Sequence, residues 1–243
     1  MNKKINSRTE KESPYKHIFF DLDHTIWDFE NNSRLALKEM YQEFDFSSMG
    51  VGPFEEFHAI YKEHNHKLWD RYSKGFIKQD ELRWKRMWHT LLDYKIGDEK
   101  LAKSVSVRYL EILPLQKELF PYTKEILQYL LDKQYTLHII SNGFEEVQYH
   151  KLNNSGLTPY FTQVITSEGC NYVKPQKEIF EFAMNKAGAA LAESIMIGDN
   201  EEADIQGAVN TGMDCIFVNH INAEKNIQAT YTIHHLKELE NIL

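Results

Sequence analysis

The sequence predicts a doubly wound α/β fold, with a parallel sheet core and an inserted all-helical cap domain. Short apolar runs, each followed by polar residues or glycine, are typical of buried parallel strands. From Pro114 onward such runs alternate with helical patterns and end in a last helix near His235, which favours right-handed crossovers between neighbouring strands. Between the first run and the next lie more than one hundred residues, whereas a single crossover needs only about a dozen.

The long interval has helical character. Apolar residues recur at three- and four-residue spacing over four segments, residues 33–44, 54–72, 79–92 and 99–113, and this pattern predicts four amphipathic helices. We therefore assign residues 30–112 to the cap, and residues 17–29 and 113–243 to the core. Residues 1–16 are polar and charged without an apolar segment, so we expect a flexible N-terminal extension there rather than a signal peptide.

The first apolar run, residues 17–20, leads into Asp21-Leu22-Asp23. A carboxylate can attack phosphorus and form an aspartyl-phosphate, which splits one difficult hydrolysis into two displacements. We assign that attack to Asp21. The leaving group of a phosphate monoester is poor, and Asp23 can protonate it and later deprotonate the attacking water. Alone, two aspartates after a strand are more often a solvated turn.

Two further elements can bind phosphate. Residues 136–140 lead into Ser141-Asn142-Gly143 just before an expected helix, and such strand-to-helix junctions offer hydroxyl, amide and backbone N–H groups to an anion. Lys174 precedes Pro175, which fits the first turn of a helix over residues 175–187. There the ammonium of Lys174 can neutralise both the phosphate and Asp21. Each of these elements is a weak signal when taken alone.

The fourth element predicts a metal. Residues 194–197 are followed by Gly198 and Asp199, with Asp204 in the expected first turn of a helix. Asp21, Asp199 and Asp204 would meet a dianionic phosphate in one crevice, and each close like-charge pair costs about 4 kcal/mol at an effective dielectric of roughly 20. Oxygen ligands beside a phosphate favour Mg²⁺. We expect direct ligation by Asp21, the backbone carbonyl of Asp23, and Asp199, with Asp204 acting through water. In isolation, Asp199 and Asp204 are as often a helix cap and a first-turn acid.

In this order the four elements resemble the motifs of haloacid dehalogenase-like hydrolases, from residue 17 to about residue 219. The resemblance implies a Rossmann-like core, Asp21 as nucleophile and Asp23 as general acid/base. It also implies Ser141 and Lys174 as phosphate binders and Asp199 as a metal ligand. Dehalogenases of this family lack the second aspartate and the metal, so Asp23 favours phosphoester hydrolysis.

The cap resembles that of house-cleaning pyrimidine 5′-nucleotidases, on the segment Asn-His-Lys-Leu-Trp-Asp-Arg-Tyr at residues 65–72 and on Arg86. This resemblance implies a pyrimidine nucleoside 5′-monophosphate as substrate. Trp69 and Tyr72 could stack on the base, and Asn65 and Arg86 could hydrogen-bond its edge or the sugar. Aromatic residues three apart on one helix face are, however, more often part of a core.

Two alternatives stay open: a phosphosugar phosphatase or phosphoglucomutase-like enzyme on the same fold, and a catalytically silent binding protein. A net charge of −8 without a basic stripe argues against nucleic acid polymers, and no apolar stretch is long enough to span a membrane. The two cysteines, Cys170 and Cys215, lack metal-ligand spacing, which favours a reducing, cytoplasmic setting. The expected partner is a small phosphate monoester, and the expected state is monomer or homodimer.

Overall fold

Six strands form one parallel sheet in the computed structural model, which describes residues 13–222, 224 and 226–243. The strands are β1 (His17–Phe20), β2 (Thr136–Ser141), β3 (Gln163–Thr166), β4 (Ser194–Gly198), β5 (Asp214–Val218) and β6 (Tyr231–Ile233). Their order across the sheet is β3-β2-β1-β4-β5-β6. The predicted N-terminal extension lies outside the described residues, apart from residues 13–16.

Helices cover both faces of the sheet. The helices are α1 (Phe29–Glu43), α2 (Phe54–Ser73), α3 (Gln79–Asp93), α4 (Glu99–Ile112), α5 (Thr123–Asp132), α6 (Glu145–Asn154), α7 (Ser167–Cys170), α8 (Lys177–Ala187) and α9 (Gly207–Thr211). Ile18 and Phe20 of β1 pack in one buried cluster with residues of α5 and α6. Phe19, which points the opposite way, packs in a second cluster with residues of α8 and α9. The predicted doubly wound α/β fold is therefore confirmed.

The four predicted helices between β1 and β2 are present as α1 to α4, which we call the helical insert. Each begins and ends within a few residues of its prediction, because the apolar spacing marks the buried face of each helix. Tyr61 of α2 and Tyr109 of α4 meet edge to face, with ring centroids 5.6 Å apart. Trp84 and Trp88 of α3 pack on each other at 5.9 Å. The division of the chain into a core and a cap at residues 30 and 112 stays a prediction.

The chain enters and leaves the helical insert along two segments that are paired with each other, residues 26–28 and 118–120, which we call the paired neck. Asp28 N donates to Glu118 O at 3.1 Å, and Phe120 N donates to Ile26 O at 3.1 Å. The buried amide of Asn32 adds two bonds to the backbone of Glu118, at 2.8 and 3.0 Å. The two connections are thus one hydrogen-bonded unit.

Two helix predictions need correction. The helix after Lys174 begins at Lys177 rather than at Pro175. Residues 173–176 instead form a turn in which Gln176 N donates to Val173 O at 2.8 Å, so the helix starts only after it. The predicted final helix is a 3-10 helix, Leu236–Asn241, and the side chain of His235 caps it by accepting from Lys237 N.

His138 in the middle of β2 predicts an acid-labile sheet. It is fully buried, stacks on Phe19 with ring centroids 4.8 Å apart, and shares a hydrogen bond of 3.1 Å with His17. Burial, followed by the neighbouring His17, lowers the pKa of His138 to about 4. Between that value and the ordinary pKa of about 6.5, the unfolded chain binds a proton that the folded chain does not, so stability falls as pH falls through this window.

We expect His138→Phe to remove most of this slope. In urea titrations at pH 7.0 and 4.5, the wild type should lose up to about 3 kcal/mol more than the variant over this range. His150→Phe, at an exposed position of α6, is the matched control. Equal pH slopes in wild type and His138→Phe would contradict the assignment.

Candidate active site

Asp21 stands at the carboxyl end of β1, in the middle of the sheet. Its backbone N–H donates to Ile197 O at 2.8 Å, so the chain continues the pairing with β4 for one residue beyond β1. The chain then turns, and both Ile26 N and Trp27 N return to Leu22 O. His24 takes the left-handed backbone conformation, with φ of 63°. The turn brings Asp21 and Asp23 to the same cavity, as the sequence predicts.

The end of β4 supplies two more carboxylates. Asp199 follows Gly198 directly, and its Oδ1 accepts from Thr25 Oγ1 at 3.0 Å. Asp204 is 1% exposed, and its Oδ2 accepts from Asn200 N at 3.0 Å. A Cβ on Gly198 would stand 2.3 Å from Asp204 Oδ2, so only glycine allows this approach. Asp204 lies in the π-helical turns Glu201–Gln206 that lead into α9, rather than in a regular first turn.

Lys174 holds the carboxylates together. Its Nζ donates to Asp21 Oδ1 at 2.5 Å, to Asp204 Oδ1 at 2.6 Å and to Ile140 O at 2.8 Å, which uses all three ammonium hydrogens. Burial alone would lower the pKa of Lys174, but Asp204 and Asp21 outweigh it and raise that pKa. The lysine is therefore a permanent cation inside the acidic cluster.

The residues present fit a divalent cation. One carboxylate oxygen from each of Asp21, Asp199 and Asp204 lies within 4.8 Å of the other two, and an all-oxygen donor set suits Mg²⁺. Burial raises the pKa of Asp21 to about 7, an effect that Lys174 opposes and Asp204 increases. Burial, Asp21 and Asp204 together raise the pKa of Asp199. When all three carboxylates are ionised, the single lysine leaves excess negative charge on the cluster, and a bound cation would neutralise it.

The two oxygens of Asp204 already accept from Lys174 and Asn200. Among the described residues, no hydrogen bond reaches Oδ2 of Asp21 or Oδ2 of Asp199. Those two atoms are the carboxylate oxygens most available to a cation. The action of Asp204 through water stays a prediction.

Ser141 ends β2 beside this cluster and is 2% exposed. Its Oγ accepts from Gly143 N at 3.0 Å and from Gln148 Nε2 at 2.6 Å. The side chain of Asn142 makes different contacts from those that the sequence predicts. Its amide donates to Lys174 O at 3.0 Å and accepts from Lys174 N at 2.8 Å, so it holds the lysine segment rather than offering the amide to phosphate.

Three residues of the site escaped sequence analysis: Thr25, Gln148 and Lys151. Thr25 binds Asp199. Gln148 Nε2 donates to Asp23 Oδ2 at 2.9 Å, and Lys151 Nζ donates to Asp23 Oδ1 at 2.6 Å. The available signal was the spacing of Gln148 and Lys151 on α6, which puts them on one helix face.

The cavity above these residues measures about 230 Å³ and is closed on one side by the helical insert. Asn65, Trp69 and Arg86 of the insert line it, as predicted candidates for substrate contact. Arg86 is 3% exposed, and its Nη1 donates to Asn65 Oδ1 at 3.0 Å. Trp69 packs on Phe144 of the core, with ring centroids 5.7 Å apart.

Tyr72, the fourth predicted contact residue, lies outside the cavity lining. It packs edge to face on Trp69 at 5.7 Å, and its hydroxyl lies 3.4 Å from Ser167 Oγ of the core. Nearby, Arg83 of the insert pairs with Glu168 at 3.2 Å. These contacts join the insert to the core at a distance from the paired neck.

Among the described residues, no helix combines the length and the apolar character needed to cross a membrane.

Removing the central cation is expected to cost stability. Lys174→Met would leave Asp21 and Asp204 buried without their partner, which should lower the free energy of unfolding by about 3–5 kcal/mol. Lys177→Met is the matched control, because Lys177 is an exposed lysine whose ion pair among the described residues is with Glu181, one helical turn away. Urea titrations measure both, and equal values for the two variants would argue against the central role of Lys174.

A family model described as haloacid dehalogenase-like hydrolase matches residues 18–218. The pyrimidine 5′-nucleotidase PynA of Streptococcus pneumoniae is 32% identical over 235 residues, which cover 94% of this chain and 95% of PynA. A glyceraldehyde 3-phosphate phosphatase of Methanothermobacter thermautotrophicus is 29% identical over 237 residues, which cover 94% and 99%.

The same agreement holds in three dimensions. The crystal structure of the HAD-hydrolase YfnB from Bacillus subtilis bound to magnesium matches with a TM-score of 0.85 and 28% identity, covering 94% of this chain and 98% of that one. The four sequence elements, the sheet order and the buried aspartate–lysine cluster agree with the family match, and the chain belongs to the haloacid dehalogenase-like hydrolases.

Proposed function

We propose that this protein is a magnesium-dependent phosphomonoesterase that works through an aspartyl-phosphate and acts on pyrimidine nucleoside 5′-monophosphates. One observation carries the chemistry: two carboxylates from one turn, Asp21 and Asp23, face the same cavity in different surroundings. Asp21 is bound by Lys174 beside the acidic cluster, and Asp23 is bound by Lys151 and Gln148. Such a difference allows two carboxyl groups to divide the work.

The two displacements use these groups in turn. Asp21 attacks phosphorus while the bond to the leaving oxygen breaks, and Asp23 gives its proton to that oxygen. A water then attacks the phosphorus of the aspartyl-phosphate, the bond to Asp21 breaks, and Asp23 takes the proton of the water. The Ser141 hydroxyl donates to a phosphate oxygen in both steps. Lys174 contributes its positive charge, because its three hydrogens are already donated to Asp21, Asp204 and Ile140 O and are not free to bind phosphate as the sequence predicted. Asp21, the backbone carbonyl of Asp23, and Asp199 would hold Mg²⁺, which when bound supplies charge neutralisation at the phosphate.

The cap end of the cavity supports a nucleotide. Trp69 and Phe144 present aromatic surface, which suits a planar base. Arg86 is buried, yet the described residues give it hydrogen bonds only to carbonyl and amide oxygens and no ion pair. A buried guanidinium with spare donors favours a ligand with acceptor oxygens. The carbonyl groups of a pyrimidine base meet that need.

The alternative is a phosphosugar phosphatase, which the match to a glyceraldehyde 3-phosphate phosphatase favours. Such a substrate is small and rich in hydroxyl groups, and the aromatic pair of Trp69 and Phe144 would then have no planar group to contact. A broad panel of monophosphates with and without Mg²⁺ distinguishes the two. Preferred hydrolysis of three-carbon phosphates over nucleotides would favour the alternative.

Replacing the nucleophile is expected to abolish turnover. Asp21→Asn keeps the shape of the side chain but removes the attacking charge, and we expect phosphate release to fall by about 10³ or more. The matched control is Asp132→Asn, an exposed aspartate at the end of α5. Turnover within tenfold of wild type in Asp21→Asn would mean that another group attacks phosphorus.

Arg86→Met tests the contact with the base. Loss of a charged hydrogen bond to the base should lower kcat/KM for uridine and deoxyuridine monophosphates by about 10–100-fold. Ribose 5-phosphate, which has no base, should keep its kcat/KM. Arg71→Met, at an exposed arginine of α2, is the control. An unchanged ratio between nucleotides and ribose 5-phosphate would remove Arg86 from the substrate contacts.

A further inference from the structure

Two buried side chains of α6 donate hydrogen bonds to the carboxylate of Asp23 from the protein interior. Gln148 is 0% exposed and Lys151 is 2% exposed, whereas the side chain of Asp23 is 22% exposed. Lys151 Nζ donates to Oδ1 of Asp23, and Gln148 Nε2 donates to Oδ2. Each carboxylate oxygen therefore accepts one hydrogen bond from the protein interior. A proton on Asp23 is therefore directed to the side of the carboxyl group that faces the cavity.

Gln148 also determines what Ser141 can do. A hydroxyl has two lone pairs and one hydrogen. The lone pairs of Ser141 Oγ accept from Gly143 N at 3.0 Å and from Gln148 Nε2 at 2.6 Å. The O–H of Ser141 is thus free to donate, as binding of a phosphate oxygen requires. A Cβ at Gly143 would stand 2.4 Å from Gln148 Nε2, so the glycine of this motif makes room for Gln148.

Lys151 is enclosed by the turn that carries Asp23. Its Nζ lies 4.4 Å from the centre of the Trp27 ring and 5.3 Å from that of Phe29. Asp23 is the carboxylate that pairs with it in the described part of the chain. A buried ammonium is costly without a well-placed partner. Rotation of Asp23 away from the cavity would leave this ammonium unpaired, so Lys151 resists that rotation.

We propose that Gln148 and Lys151 are positioning residues for proton transfer by Asp23, and that Gln148 also keeps Ser141 as a hydrogen-bond donor to phosphate. This inference rests on the proposed function. Neither residue exchanges a proton with substrate. Lys151 and Gln148 hold the Asp23 oxygens where one proton can pass to the leaving oxygen as its bond to phosphorus breaks, and where a later proton can be taken from water.

The leaving group provides the test. Expulsion of a nucleoside alkoxide needs the proton of Asp23, whereas p-nitrophenolate leaves without one. Lys151→Met should lower kcat/KM for uridine monophosphate by about tenfold to a hundredfold, and that for p-nitrophenyl phosphate by less than about threefold. Because kcat/KM depends only on the steps up to and including the first irreversible one, it is not affected by the rate at which the aspartyl-phosphate breaks down. Lys151→Arg, which keeps the cation, should restore most of the nucleotide activity.

Gln148→Met tests separately whether Gln148 keeps Ser141 as a hydrogen-bond donor to phosphate. It should show the same dependence on leaving group and, in addition, raise KM for both substrates, because Ser141 loses its fixed orientation. It also carries the test of Asp23 positioning if Lys151→Met does not fold. Glu146→Gln, an exposed change on the same helix, is the control for both variants.

An equal fall of kcat/KM on both substrates in Lys151→Met and Gln148→Met would mean that these residues serve folding alone, and would overturn the inference while the proposed function stands. Wild-type protein that releases phosphate from neither substrate in the presence of Mg²⁺ would overturn the proposed function, and this inference with it. The wild-type measurement thus distinguishes the two failures.

Discussion

The buried ammonium of Lys174 is the contact on which the site depends. Three carboxylates follow β1 and β4 at one edge of the sheet, and they would repel each other there without a cation among them. Lys174 bonds to Asp21, Asp204 and the end of β2 at once, so a single side chain joins three elements that are far apart in sequence. The turn over residues 173–176 and the amide of Asn142 keep its backbone in place. The position of the Lys174 ammonium therefore depends on this turn and on Asn142.

Sequence reasoning predicts the fold and the central residues, because parallel strands end at one edge and bring their following residues together. It could not predict the partners of Asp23. Gln148 and Lys151 lie 125 and 128 residues away from it, and a lysine or glutamine on a helix is ordinarily interpreted as exposed. For Asn142 and Tyr72 the sequence predicted ligand contacts, whereas the structure shows both side chains bound to other parts of the protein. The residue types suggested ligand contacts, but the direction of a side chain depends on neighbours that periodicity does not reveal.

In the proposed function, the two ends of the cavity serve catalysis and substrate recognition separately. Its charged end belongs to the sheet and its aromatic and donor groups at the other end belong partly to the helical insert, so the two can vary separately within one fold. Away from the paired neck, the insert contacts the core through the aromatic pair Trp69–Phe144 and through polar pairs such as the partly exposed Arg83–Glu168. Ion pairs of this kind contribute only about 0–1 kcal/mol. Breaking the Arg83–Glu168 pair would therefore cost little free energy.

The paired neck has a mechanical consequence. Two chain segments held side by side by hydrogen bonds form a short ribbon, and a ribbon flexes readily across its flat side while it opposes torsion and sideways shear. The paired neck therefore opposes twisting of the helical insert relative to the core. Trp69 and Arg86 line the cavity from the insert, so the pairing of residues 26–28 with residues 118–120 helps to keep both side chains in a constant orientation towards Asp21.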